Sequence, residues 1–220
     1  MYGMYGYGYG YGLDPTIILV LIGVALSLWA QGRVNSTFSR YSRVRSMTGM
    51  TGAEAARRLL NAQGIYDVTV QQIAGELTDH YDPRTKTVNL SESVYGSTSI
   101  AAVGVAAHEC GHAIQHNINY APLNIRSAIV PVANIGSSLS WPIFLLGLIL
   151  SIPALTTVGI VLFSLAVLFQ LVTLPVEFNA SSRALKMLES TGILSHEENK
   201  GAKKVLTAAA LTYVAALASS

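Results

Sequence analysis

The sequence predicts an α+β protein that is mainly α-helical and integral to a membrane, with three or four membrane helices and a small β-sheet. Three observations predict it. The 220-residue chain is 51% hydrophobic and only 12% charged, with a mean hydropathy of +0.43, whereas a soluble domain carries about 25% charged residues. The charges lie in blocks: none occurs from Pro15 to Gly32, from Ser127 to Val176, or after Lys204. The polar segments between these deserts carry ordinary helix and strand signals. This composition excludes disorder, and a net charge of +2 is too small to suggest a polyanion, so no nucleic-acid partner is expected. The single cysteine, Cys110, excludes an intrachain disulfide and an all-cysteine zinc site.

Residues 1–12, MYGMYGYGYGYG, are low in complexity and cannot bury a core, which predicts a disordered tail. Residues 13–32 read as a membrane anchor. Their apolar stretch is at the lower length limit for a span, and with no Lys or Arg before it and no clear cleavage site after it, it is not a signal peptide. Arg33, Arg40, Arg43 and Arg45 follow at once, the cationic cluster that marks the cytoplasmic side; a solvated helix face is the plainer alternative.

Residues 33–127 read as a segment folded on the cytoplasmic side. Thr51 with Glu54 three residues on forms a capping box for a helix over 51–64 that stops at Gly64. Residues 67–70 read as a strand. Residues 77–83 and 87–90 read as two more, joined by a turn at Asp82-Pro83-Arg84. A second helix covers 98–117, capped by Ser97 or Thr98 and over by the time the chain reaches Pro122. The uncharged run would be about 75 Å long as one helix, far more than the roughly 30 Å bilayer core. It therefore predicts a hairpin at 128–175, with helices near 129–150 and 154–174 and a break at Ser151-Ile-Pro153. Glu177 opens a further helix within 176–204, and 205–220 forms a last apolar helix that is short for a span.

The strongest chemical signal is His108-Glu109-Cys110-Gly111-His112. Residues four apart share one helical face, so both imidazoles can reach one Zn²⁺. Glu109, next to the first ligand, can act as general base toward a water held there. The plainer alternative is a polar helix patch with two satisfied histidines. The small apolar flank Val105-Ala106-Ala107 favours a buried site.

Catalytic zinc needs a third protein ligand. His116 stands eight residues from His108, about 12 Å along the axis, and cannot join both histidines on one ion. Glu189, Glu197 and Glu198 sit on what reads as solvated surface. Glu177 is the best candidate: it lies at the end of a membrane helix, where an unpaired carboxylate is costly. Ala180, Ser181 and Ala184 after it allow a close approach to the motif helix across Gly111. A dipole-favoured helix start is the alternative for Glu177. Two crossings between His112 and Glu177 return the chain to the same membrane face, as shared ligation requires.

Thr51-Gly-Ala-Glu54, Leu77–Pro83, Val88–Ser91, His108–His116, Pro175–Ser181 and Leu211–Ala216, in that order, resemble the YugP-type family of membrane zinc metallopeptidases over about residues 13–220. The resemblance is similar at greater distance to the HtpX/Ste24-type gluzincins. It implies a minimal zincin-like (gluzincin) catalytic domain in a bacterial inner membrane, multi-pass, with one Zn²⁺ and a polypeptide substrate. The distant group usually has Asp four residues after the ligand Glu; here Ser181 stands there, so another group is expected to hold a zinc histidine. The metzincin position for a third histidine holds Ile118, which excludes that class.

In zincins the strand before the active helix binds substrate at its edge. This places Asp79 and Tyr81 in substrate binding. His80 either stabilises the oxyanion or points to solvent, and Arg183 is a second oxyanion candidate or a surface or lipid-headgroup contact. Cys110 faces elsewhere and reads as buried packing. The leading expectation is a membrane zinc endopeptidase facing the cytoplasm, possible partner proteins or self-assembly being left open. The alternatives are a non-catalytic scaffold with a structural metal and a metal-dependent hydrolase of other substrates.

Overall fold

A computed structural model describes residues 15–219; the expected tail at 1–12 lies outside them. Helix α1 (Pro15–Tyr41) is longer than the expected anchor. It carries the chain past Arg33 to Arg40 without a break. Helix α2 (Gly52–Ala62) has the predicted capping box, with Thr51 Oγ1 accepting from Glu54 N–H and Glu54 accepting from Thr51 N–H. Its apolar stripe (Ala55, Ala56, Leu59, Leu60) is buried.

Three short strands follow: β1 (Thr69–Ile73), β2 (His80–Asp82) and β3 (Thr87–Ser91). β1 begins two residues later than the sequence pattern suggests. The order is β1-β3-β2, with β3 parallel to β1 and antiparallel to β2. β3 is buried throughout, and among the described residues no strand lies beside the outer edge of β2. A short helix α3 (Glu92–Tyr95) leads to α4 (Ile100–Asn117). The cap of α4 is Ser99, whose hydroxyl accepts from Ala102 N–H, not Ser97 or Thr98.

Helix α4 is buried on nearly every face. Its Ala- and Gly-rich sequence makes this possible, because small side chains let helices close in around it. Leu59, Leu90, Val103, Leu188, Ile193 and Leu206 join one core from α2, β3, α4, α6 and α7.

Helix α4 ends before Pro122, as expected, and Pro122 stands in the first turn of α5 (Ala121–Ile149), as suits a first-turn proline. Helix α6 (Pro153–Ser190) pairs with α5 as the expected hairpin. A Cβ at Gly147 would lie 2.4 Å from Thr156 N, so the turn closes only on a glycine. α6 does not restart at Glu177. It runs unbroken through Pro175, and Glu177 stands well inside it, which corrects the expected helix boundary and removes the helix-start reading. Helix α7 (His196–Ser219) merges the two final expected elements. Its end packs on α1, where Ser219 Oγ donates to Gly23 O at 2.9 Å. Among the described residues three helices, α1, α5 and α6, are long and apolar enough to cross a membrane. The fold is thus a mainly helical α+β membrane protein.

Candidate metal centre

The two motif histidines project from one face of α4, with ring centroids 4.8 Å apart and edge to face. Helix α6 crosses α4 at Gly111, where a Cβ would lie 2.6 Å from Ala180 O. That approach brings in Glu177, one turn earlier on α6. Its Oε2 lies 3.2 Å from His108 Nε2 and 3.5 Å from His112 Nε2. One ligand atom from each of the three lies within 4.8 Å of the others.

The surroundings orient all three groups. Ser181 Oγ lies 3.1 Å from His108 Nδ1. Gln115 Oε1 lies 3.0 Å from His112 Nδ1 and accepts its proton. Gln115 is itself fixed, donating from Nε2 to Val176 O and to Asn179 Oδ1. Gln115 Oε1 fixes the Nδ1-protonated form of His112, and the Ser181 hydroxyl can accept from His108 Nδ1 in the same form, in which each ring turns a bare Nε2 lone pair toward the Glu177 carboxylate. Three acceptors aimed at one point repel one another unless a cation sits among them, so this donor set fits zinc. Glu177 Oε1 faces away and meets Arg126 Nη1 at 3.8 Å.

Glu109 is 7% exposed and lines cavities on both sides of the cluster. Burial pushes its carboxyl up, against the pull of the His108 and His112 rings. One cavity, of about 280 Å³, lies among α1, α4, α6 and α7. The other, of about 580 Å³, lies between β2 and α5. Asp79, His108, Glu109, Glu177 and Tyr213 border both, so the two are limbs of one cleft.

The remaining sequence candidates fall in different places. Asp79 borders the cleft, but its carboxylate accepts from Ser91 N–H and Ser91 Oγ–H, which ties the start of β2 to the end of β3. His80 borders the wider limb; Nδ1 donates to Thr78 O and Nε2 accepts from Asn89 Nδ2, so both ring nitrogens are engaged. Tyr81 turns its hydroxyl to His116 Nδ1 at 2.8 Å, which holds His116 away from the metal ligands. Arg183 is not brought to the cluster: it donates from Nε to Asn179 Oδ1 and its guanidinium lies 5.9 Å from the Tyr120 ring centroid. Cys110 is fully buried, its thiol 3.6 Å from Ala56 O.

Sequence reasoning missed four residues here. Gln115 was findable as the neighbour one turn after His112. Ser181, read as a gap in a family pattern, is the hydroxyl that meets His108. Arg126 carried a signal as the last charge before the uncharged run. Tyr213, the one tyrosine of an Ala-rich helix, borders both limbs of the cleft together with Glu177 and carried none.

The family model described as "Putative neutral zinc metallopeptidase" matches residues 16–220. The chain belongs to that family. It is 52% identical over 200 residues to a Bacillus subtilis (strain 168) protein named "Putative membrane protease YugP", covering 91% of this chain and 89% of that one. No solved structure matches significantly. Family membership suggests zinc for the centre at His108, His112 and Glu177, and the relative's name agrees with the three apolar helices in placing the chain in a membrane.

Proposed function

We propose that this chain is an integral-membrane zinc endopeptidase of the bacterial cell membrane, with its centre facing the cytoplasm. The observation that carries the reading is the convergence of His108 Nε2, His112 Nε2 and Glu177 Oε2 on one point, with Glu109 beside it in an open cleft. His108, His112 and Glu177 would hold one zinc. Zinc, when bound, makes a water nucleophilic near neutral pH and polarises the scissile carbonyl.

The chain's own residues do the rest. Glu109 takes the water's proton as the water attacks and returns it to the leaving amine. Burial pushes its carboxyl above the usual carboxylate range, which strengthens it as a proton acceptor. The free edge of β2 receives the substrate as an added strand. Tyr213 and Arg126 border the cleft with Glu177, and theirs are the donors we assign to the carbonyl oxygen as charge develops on it. The Arg33–Arg45 cluster supports the cytoplasmic orientation.

The test is zinc content and casein-type turnover of purified protein, wild type against Glu109→Gln. Glu109→Gln is expected to keep zinc and lose turnover; near-full activity in it would end the mechanism.

A further inference from the structure

Each spanning helix reaches the cleft only where its uncharged run ends. From α1 the lining residues are Gln31 and Val34, flanking Arg33. From α5 they centre on Arg126 and Ser127, at the first turn of the run. From α6 they are Glu177 and Ser181, just past its last residue, Val176. Three helices, each with its own sequence boundary, put the cluster at one level. That level is the surface of the bilayer, where apolar sequence gives way to charge.

The two limbs also differ in chemistry. Apart from the residues common to both, the limb against α1 and α7 holds no charged group: Val34, Leu77, Val105 and Leu206 wall it, with Gln31, Ser181 and Thr212 as its polar groups. The limb against β2 and α5 adds Asp82, Arg84 and Arg126 to Leu123 and Val130. An extended chain crossing Glu109 therefore passes from an uncharged wall at the membrane surface to a charged one.

Resting on the peptidase reading, we propose a substrate class: the segment of a membrane polypeptide immediately outside its own span. It lies extended along β2, with its span-proximal end in the limb between α1 and α7 and its distal, polar end over His80–Arg84. The headgroup layer is about 5–8 Å deep on each side, which an extended chain crosses in two or three residues at about 3.3 Å each. The cut then falls within about six residues of the span. A free peptide lacks the anchor that holds its apolar end at this depth, and so loses the gain in effective concentration that tethering in the same bilayer gives.

The experiment uses the full chain in proteoliposomes. One unstructured segment is offered in three forms: joined directly to a single span, joined through a 20-residue polar spacer, and free. Occupancy is read without turnover, by photo-crosslinking from a benzoyl-phenylalanine placed at Val34 in the Glu109→Gln protein. Turnover is read with the wild type. Direct attachment is expected to raise both crosslinking and cleavage at least tenfold over the other two forms. Equal crosslinking and equal cleavage of all three forms would overturn the substrate class and leave the peptidase reading standing. Strong, attachment-dependent crosslinking with no cleavage of any form would keep the docking and overturn the peptidase reading. No crosslinking and no cleavage would overturn both.

Discussion

Arg126 and Glu177 are the two charges that bracket the uncharged run, and they meet, with Arg126 Nη1 3.8 Å from Glu177 Oε1. The α5–α6 hairpin thus closes on a pair of opposite charges at its open end. The pairing leaves Glu177 Oε2 for the two histidines. Arg126→Leu is expected to weaken zinc binding about 10- to 100-fold, the usual effect of losing a group that holds a ligand. Arg126→Lys should restore part of it. Competition with a chelator measures both, and an unchanged affinity in Arg126→Leu would show that the pair is incidental.

Glu177→Ala is expected to lose most bound zinc and all turnover. Glu189→Ala should keep both, because Glu189 is exposed and engages only His196. Zinc should raise the melting temperature of the wild type and of Glu189→Ala, since a ligand that binds only the folded state stabilises it. Stoichiometric zinc in Glu177→Ala would mean that another group completes the set.

Ser181→Ala and Gln115→Ala separate the two histidines. Each removes the partner of one Nδ1, so each is expected to cost about 10- to 100-fold in zinc affinity. Gln115→Ala should also lower stability, because it leaves Val176 O and Asn179 without their buried partner. Ser181→Ala should affect the metal with little effect on stability. Equal losses of stability in both would contradict this division.

Tyr213→Phe removes one hydroxyl beside Glu177. If that hydroxyl meets the developing oxyanion, turnover falls about 100-fold with zinc content unchanged. A variant with wild-type kcat would reduce Tyr213 to a packing residue of α7.

Orientation can be read with single cysteines, because the natural thiol is buried and should react only after unfolding. On a Cys110→Ala background, a cysteine at Ser151 in the α5–α6 turn is expected to react with an impermeant maleimide from outside intact cells. One at Asn119 should react only after lysis. The reverse pattern would invert the topology.

Much of this architecture was legible because its signals are local. Thr51 and Glu54 are three residues apart, and His108 and His112 share one helical turn. The hairpin was legible from length alone, and with it the return of Glu177 to the histidines' side. Local signals also misled. The end of the uncharged run before Glu177 looked like a helix boundary, yet α6 passes through it and through Pro175: the close contact at Gly111 and the buried Val176, Ala180 and Ala184 hold the helix against α4 and outweigh the backbone bond lost at the proline. The strand β1 was misplaced because Val68 and Val70 fit more than one start. Arg126 and Tyr213 act through contacts 51 and 36 residues from Glu177 in sequence, and no pattern along the chain encodes such a meeting.

The unbroken course of α6 has a practical consequence. The same helix begins in the apolar hairpin and ends beside the core built on α2, β3 and α4, and it carries Glu177 and Ser181 partway along. Arg126 likewise belongs to a spanning helix. No cut in the chain can release a water-soluble fragment that keeps a complete centre. A truncation before Ser127 discards Glu177 outright, and a fusion of residues 33–126 to 176–220 must rebuild the hairpin's grip on both ends. Expression of this centre for biochemistry therefore calls for detergent, nanodiscs or a designed replacement of the hairpin that keeps the ends of α5 and α6 in contact.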